Sequence, residues 1–258
     1  MSDIASAQGV VITRGSRVAI SASDFTIPAG KITAIIGPNG SGKSTILHAV
    51  AGLLPISSGS LSVLNNTPLL SQSQVSYVLQ YTTVPAGTPL TVMEAVAMAR
   101  YPKLGLFGRP SKEEKKRVLA AMARLEISDL AKRHLTELSG GQRQRVYVAQ
   151  GIAQDHTILL LDEPLTGLDI NSAKTIDSII HDEPVRGCSV VLTTHDLEEA
   201  RAADHVILTA GRVVGSGKPS DVLTTENLTN AYGLGSLHEH TATDLILPTE
   251  HHLNDHPH

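Results

Sequence analysis

The chain has 258 residues, 41% of them hydrophobic and 18% charged, so an apolar core can form and global disorder is excluded. Aromatic residues make up only 3% and Trp is absent, which leaves the core to Leu, Ile, Val and Ala. The formal net charge of −4 gives no basic surplus to attract nucleic acid, and the single Cys188 excludes an internal disulfide and fits a reducing compartment. The start, "MSDIASAQGVV", lacks the basic flank and long apolar run of a signal peptide, and no apolar run nears the roughly 20 residues that cross a bilayer. The expectation is a soluble cytoplasmic protein that reaches a membrane only through a partner.

Residues 10–36 hold three short β-prone runs, "VVIT", "RVAIS" and "KITAII", separated by Gly, Ser and the turn "IPAG". The chemistry then changes to "GPNGSGKS", residues 37–44, followed by a helical stretch over 44–53 with Gly52 and Pro55 as stop signals. This stretch fits G-x-x-x-x-G-K-[ST] between a strand and a helix, the setting a phosphate loop requires and a chance match lacks. Its glycines let successive N–H groups face phosphate oxygens, and the helix start adds the positive end of its dipole. Lys43 is expected to reach the β- and γ-phosphates and Ser44 to bind Mg²⁺. The candidate loop is thus Gly37, Pro38, Asn39, Gly40, Ser41, Gly42, Lys43, Ser44 and Thr45.

Two further β-prone patches follow, "SLSVLN" and "QVSYVLQ", and then a mostly helical middle over about 88–155. Thr91 with Glu94 and Ser111 with Glu114 have helix-capping spacing. Val118, Met122 and Leu125 share one helix face, and "KEEKKR" begins the opposite one, most simply a solvated surface. "HTILLLDEP" contains a continuous apolar run, which predicts a strand covered on both faces. Asp162 ends that strand where a carboxylate can hold Mg²⁺. Glu163 follows on the opposite side of the chain, suited to orient a water toward a γ-phosphate. An ordinary polar strand end is the plainer alternative. A helix over 172–180, the strand "SVVLTT", a helix from Asp196 and the strand "HVILTA" complete a β/α alternation. That alternation predicts an α/β fold with a mainly parallel sheet and the helical middle as an inserted lobe.

Between the phosphate loop and "LLLDEP" lies "LSGGQ", residues 138–142, and "TTHD" follows. In this order the motifs resemble the nucleotide-binding subunit of ATP-binding cassette transporters, over about residues 10–235. The resemblance implies a P-loop NTPase (RecA-like) core, an N-terminal antiparallel β subdomain and an inserted helical signature subdomain. It also implies a homodimer whose two copies pair head to tail around two ATP molecules. Ser139, Gly140, Gly141 and Gln142 then complete the site of the opposite chain. Gln80 in "YVLQYT" matches the glutamine that senses Mg²⁺ near the docking site of the transmembrane partner. Asp169 in "TGLD" matches the aspartate that contacts the opposite subunit, and His195 in "TTHD" the histidine that bonds the γ-phosphate. One departure is Arg14 in "VITRGSR", where the family usually has an aromatic that stacks on adenine. A guanidinium can stack on a base as well.

The same resemblance implies separate permease subunits, an extracytoplasmic substrate-binding protein and a place at the cytoplasmic face of the membrane. "ARYPKLGLFGRPSKEEKKRV" and "DEPLTGLD" look most like subunits of manganese, zinc or iron importers, with iron-siderophore and haem importers next. Residues 1–235 read as the ATP-binding domain and 236–258 as a tail. The tail carries His238, His240, His251, His252, His256 and His258. It reads either as a metal-sensing segment or as a solubilising one with incidental histidines. A soluble cassette ATPase of DNA repair or translation fits less well, because no long coiled coil lies between Lys43 and Leu138 and the chain has one cassette. A storage protein with a degenerate ATP site would need losses among Lys43, Ser44, Asp162, Glu163 and His195, all of which are present. An exporter subunit shares the same chemistry.

Overall fold

Two long strands, β1 (Asp3–Arg14) and β2 (Arg17–Pro28), pair antiparallel across a turn at Gly15, and β4 (Ser58–Val63) joins the other edge of β1. These coordinates, a computed structural model, describe residues 3–80, 85, 87–104 and 110–233. The histidine-rich tail therefore lies outside the described residues. β1 begins seven residues before the expected 10: Ile4, Ala5 and Ala7 are buried with Val10 and Ile12, but the small residues of "DIASAQ" conceal that pattern. The strand "RVAIS" likewise continues to Pro28, and the expected turn "IPAG" keeps only its second half, at Ala29 and Gly30.

The second sheet has six strands: β3 (Ile32–Ile36), β5 (Val75–Val78), β6 (Ile158–Asp162), β7 (Ser189–Thr194), β8 (His205–Thr209) and β9 (Val213–Gly217). Their order is β5-β6-β7-β3-β8-β9, with every neighbouring pair parallel except β8 and β9. Strand periodicity divides the core between the two faces. Leu159 and Leu161 of β6 join one apolar cluster with Ala34, Ile36, Val190 and Leu192. Ile158 and Leu160 join the other with Ile35, Val191 and Ile207, beneath β1, β2 and the helix α1 (Lys43–Val50). Both faces of "ILLL" are covered, as its unbroken apolar run predicts.

A short α2 (Pro68–Ser71) links β4 to β5. Between β5 and β6 come α3 (Val92–Ala97), α4 (Tyr101–Leu104), α5 (Lys112–Arg124) and α6 (Gly140–Ala153). Thr91 and Glu94 form a complete capping box on α3, and Ser111 caps α5 through the Glu114 N–H. Val118, Met122 and Leu125 point into the core. The side chain of Arg100, 3% exposed, ties this helical insertion together by pairing with Glu114 and Asp155 and donating to the Ala153 carbonyl.

After β6 come α7 (Ile170–Val185), α8 (Leu197–Ala202), α9 (Pro219–Val222) and α10 (Thr225–Tyr232). α7 runs five residues beyond its expected end at 180. Glu183 in its last turn is buried, with one carboxylate oxygen on Arg124 at 2.6 Å and the other on His156 at 3.0 Å. Burial disfavours the His156 imidazolium, but hydrogen bonds to Cys188 and Glu183 outweigh it and raise the pKa to about 9. Burial likewise opposes ionisation of Glu183, yet His156 and Arg124 bring it down to about 2. The His156–Glu183 pair is thus ionic, and the Arg124–Glu183 pair fastens α5 to α7.

Candidate functional site

The loop after β3 folds where a side chain would not fit. A Cβ on Gly37 would lie 2.1 Å from the Thr209 carbonyl oxygen, and one on Gly42, at φ 105°, would lie 2.2 Å from Ile20 Cδ1. The Ser41 carbonyl accepts from the Gly211 N–H at 2.9 Å, and its hydroxyl meets that of Thr209 at 2.7 Å, so the loop is bolted to the end of β8. Lys43 is buried at the start of α1, where its ammonium donates to the carbonyls of Gly37 at 2.9 Å and Pro38 at 3.3 Å. Burial lowers its pKa, and the carboxylates of Glu163 and Asp162 partly offset that effect. Pro38 is half-buried and Asn39 and Gly40 are exposed, beside an open cleft of 400 Å³ that Arg14, Asn39, Lys43, Ser44, Thr45 and Glu163 line.

Asp162, at the C-terminal end of β6, accepts three hydroxyl hydrogen bonds. Ser44 Oγ at 3.0 Å and Thr193 Oγ1 at 2.6 Å share Oδ1, and Tyr77 Oη at 3.2 Å takes Oδ2. The next residue, Glu163, turns to φ 46°, a left-handed conformation that a non-glycine residue adopts at a cost of about 1 kcal/mol or more. That turn sends its carboxylate away from Asp162, toward the Gln80 amide at 2.6 Å, the Thr166 hydroxyl at 3.3 Å and His195 Nδ1 at 3.7 Å. Thr193 holds both acids: while donating to Asp162 it accepts from the Glu163 N–H at 2.8 Å.

Arg14, at the tip of the β1–β2 hairpin, donates from Nε to Thr45 Oγ1 at 3.1 Å and from Nη2 to His48 Nδ1. The other nitrogen of His48 lies 3.1 Å from Tyr77 Oη. A relay of donors thus runs from Arg14 through His48 and Tyr77 to Asp162. Burial, with Asp162 beside it, raises the pKa of Tyr77 and keeps the phenol protonated as a donor. Burial and Arg14 lower that of His48 and keep it neutral. Sequence reading missed Thr193, Tyr77, His48 and Thr209. The available signal was polar residues at the ends of otherwise apolar strands, in "VLTTHD", "VSYV" and "HVILTA".

The start of α6 is built differently. Ser139 caps it in a reciprocal box, its hydroxyl accepting from the Gln142 N–H at 3.2 Å while its N–H donates to Gln142 Oε1 at 3.0 Å. Ser139 and Gly140 are exposed, and no hydrogen bond among the described residues joins 139–142 to the phosphate loop of the same chain. Gly141 is buried where a Cβ would meet Asp169 Oδ2 at 2.4 Å. Asp169 caps α7 by accepting from the Ser172 N–H at 2.9 Å and hydroxyl at 2.8 Å, and these bonds lower its pKa. The fold therefore brings Lys43, Ser44, Asp162, Glu163, Gln80, His195 and Arg14 around one cleft. Ser139, Gly140 and Gln142 stand apart from it, next to Gly141, which packs on Asp169.

A sequence model of the ABC transporter family matches residues 20–166. The chain belongs to the ABC transporter family. Members of this family bind ATP and are ATPases that power transport, and so is this chain. The manganese transport system ATP-binding protein MntB of Listeria monocytogenes is 37% identical over 227 residues, covering 88% of this chain and 95% of that protein. The zinc transport system ATP-binding protein TroB of Treponema pallidum is 38% identical over 211 residues, covering 81% of this chain and 79% of its own length. Among solved structures, a metal-chelate type ABC transporter in an inward-facing conformation superposes with TM-score 0.78 at 28% identity, covering 89% of both chains. As an ABC transport subunit the protein works with membrane permease partners and associates peripherally with the membrane. Among the described residues no helix is long and apolar enough to cross a membrane.

Thr193 yields a direct prediction. Thr193→Val keeps the shape but removes hydrogen bonds to both acids, so stability should fall by about 1–3 kcal/mol and ATP turnover should fall more steeply than ATP affinity. Denaturant titration and steady-state ATPase kinetics measure both.

Proposed function

We propose that this ABC subunit hydrolyses Mg-ATP to drive uptake of a metal ion, manganese, zinc or iron, through separate permease subunits fed by an extracytoplasmic substrate-binding protein. The convergence of Lys43, Ser44, Asp162 and Glu163 on one cleft supports the chemistry. The cargo rests on the relatives that cover most of the chain and are named for manganese and zinc transport. A metal chelate such as an iron-siderophore or haem is the second reading, favoured by the metal-chelate type structural neighbour.

The residues fit Mg-ATP. Gly40 leaves open space at the tip of the 37–42 loop, and Lys43 supplies a buried cation whose hydrogen-bond partners among the described residues are two carbonyls. Ser44 Oγ and Asp162 Oδ1, 3.0 Å apart, are the hard oxygen donors that Mg²⁺ prefers. Bound there, Mg²⁺ would neutralise charge on the phosphate oxygens. Glu163 then orients a water molecule, with His195 next to it to hydrogen-bond the γ-phosphate. To serve the water, Glu163 must exchange its hydrogen bond with Gln80, which ties hydrolysis to a shift of the Gln80 side chain.

In this reading two copies pair head to tail, and the exposed start of α6 with Ser139, Gly140, Gly141 and Gln142 completes the partner's site. Asp169, packed on Gly141, reports that contact to α7. Arg14 lies under the base in place of an aromatic ring. Residues 1–235 form the ATP-binding unit, and 236–258 a tail outside it. The permease docks on an apolar groove between α3 and α5, where Met93, Ala97, Val118 and the half-exposed Leu119 come together.

Glu163→Gln should bind ATP but hydrolyse it about 100-fold or more slowly, and should run as a dimer on size exclusion with ATP present. A wild-type rate would remove Glu163 from its role. Adding Arg14→Ala in that background should weaken ATP affinity in equilibrium titrations and narrow any difference from GTP; unchanged affinities would take Arg14 away from the base. Leu119→Asp should abolish metal uptake in reconstituted vesicles while the subunit alone still hydrolyses ATP. Uptake at the wild-type level would move the docking site elsewhere.

A further inference from the structure

Beyond the nucleotide cleft, three side chains of metal-binding type converge at the opposite end of the sheet. His156 stands just before β6 and Cys188 just before β7, the N-terminal ends of strands whose other ends carry Asp162 and Thr194, while Glu183 closes the last turn of α7. One ligand atom from each lies within 4.8 Å of the other two. We propose that His156, Glu183 and Cys188 bind a thiophilic divalent cation, zinc above all.

The chemistry of the surroundings supports this. An imidazole, a thiolate and a carboxylate form the mixed N, S, O set that zinc accepts, with a fourth position left for water. Nδ1 of His156 lies 3.1 Å from the Gln154 carbonyl, which as acceptor fixes the ring and turns Nε2 toward Glu183, while the Cys188 thiol donates to the His156 carbonyl at 3.4 Å. Glu183 faces the cluster with Oε2, while its Oε1 stays on Arg124 at 2.6 Å, so single-oxygen coordination leaves that pair intact. Tetrahedral zinc sets its ligands about 3.3–3.8 Å apart, so the 3.0 Å between His156 Nε2 and Glu183 Oε2 must open slightly, while any separation near the 4.8 Å limit must close by about 1 Å. A divalent ion that displaces one proton from His156 and one from Cys188 leaves the net charge unchanged, which matters beside Arg124 and Arg186. The His156 and Glu183 side chains are 5% and 2% exposed, yet both line a cleft of 340 Å³ with Cys188, which gives an ion a route in.

Because Cys188 is the only cysteine, any thiolate-to-metal signal must come from it, whatever the tail histidines bind. Titration of the full chain with Co²⁺ should give a near-ultraviolet thiolate-to-cobalt band that saturates at one equivalent and is erased by added Zn²⁺. Cys188→Ser should lose the band and still bind ATP. His156→Gln should weaken cobalt affinity at least ~10-fold. Absence of the band in the wild-type chain, or an undiminished band in His156→Gln, overturns the site. Zinc-edge X-ray absorption of the wild-type chain with one equivalent of Zn²⁺ needs no variant: a shell with one sulfur and nitrogen or oxygen neighbours supports the site, and a sulfur-free shell overturns it.

Discussion

The carboxylate of Asp162 is where the elements of this protein meet. Its three hydroxyl partners come from α1, β5 and β7, and it ends a strand buried on both faces. Each bond from a hydroxyl to an ionised group contributes about 1.5–3 kcal/mol, and leaving the charge without partners would cost more. These bonds tie the first helix after the glycine loop, β5 and β7 to the end of β6. Thr193 matters most, since one hydroxyl fixes one acid by its side chain and the next by its backbone.

A protein that binds polyphosphate needs positive charge and N–H donors, yet this chain concentrates only part of both around its loop. Lys43 and the loop face the cleft, while the helix start at Ser139 is capped and exposed. Such an end gains from a second anion brought to it, and the exposed Gly140 that follows Ser139, with open space where a Cβ would sit, leaves room for one to come close. Gly141 has a separate task. It lets Asp169 and the start of α7 pack directly on α6.

The glycine-rich turn between β3 and α1 and the strand end at Asp162 were legible in the sequence, because each is encoded in fewer than about ten consecutive residues. The capping boxes at Thr91 and Ser111 were legible for the same reason. What escaped depends on strand order. Nothing near "VSYV" announces that β5 lies beside β6, so the bond from Tyr77 to Asp162 could not be read, and Thr193 is 30 residues from the Glu163 N–H that it accepts. Element ends failed where neighbours decided them: β1 starts early because small residues pair with β4, and α7 runs late because Glu183 is held from another element. His156, Glu183 and Cys188 are separated by 27 and 5 residues and matched no spacing rule for metal ligands; only the packing of β6, α7 and β7 unites them.

The central claim is that each nucleotide site is shared between two chains, and cross-linking tests it most directly. In a Glu163→Gln, Cys188→Ala background, chains carrying only Asn39→Cys are mixed with chains of different tag length carrying only Ser139→Cys, then oxidised with and without Mg-ATP. Shared sites predict a mixed disulfide between the two tags that forms on addition of nucleotide and is absent when either chain is alone. If ATP saturates both chains and no mixed disulfide forms, the loop and the Ser139 helix start do not face each other across two copies, and the shared site is wrong.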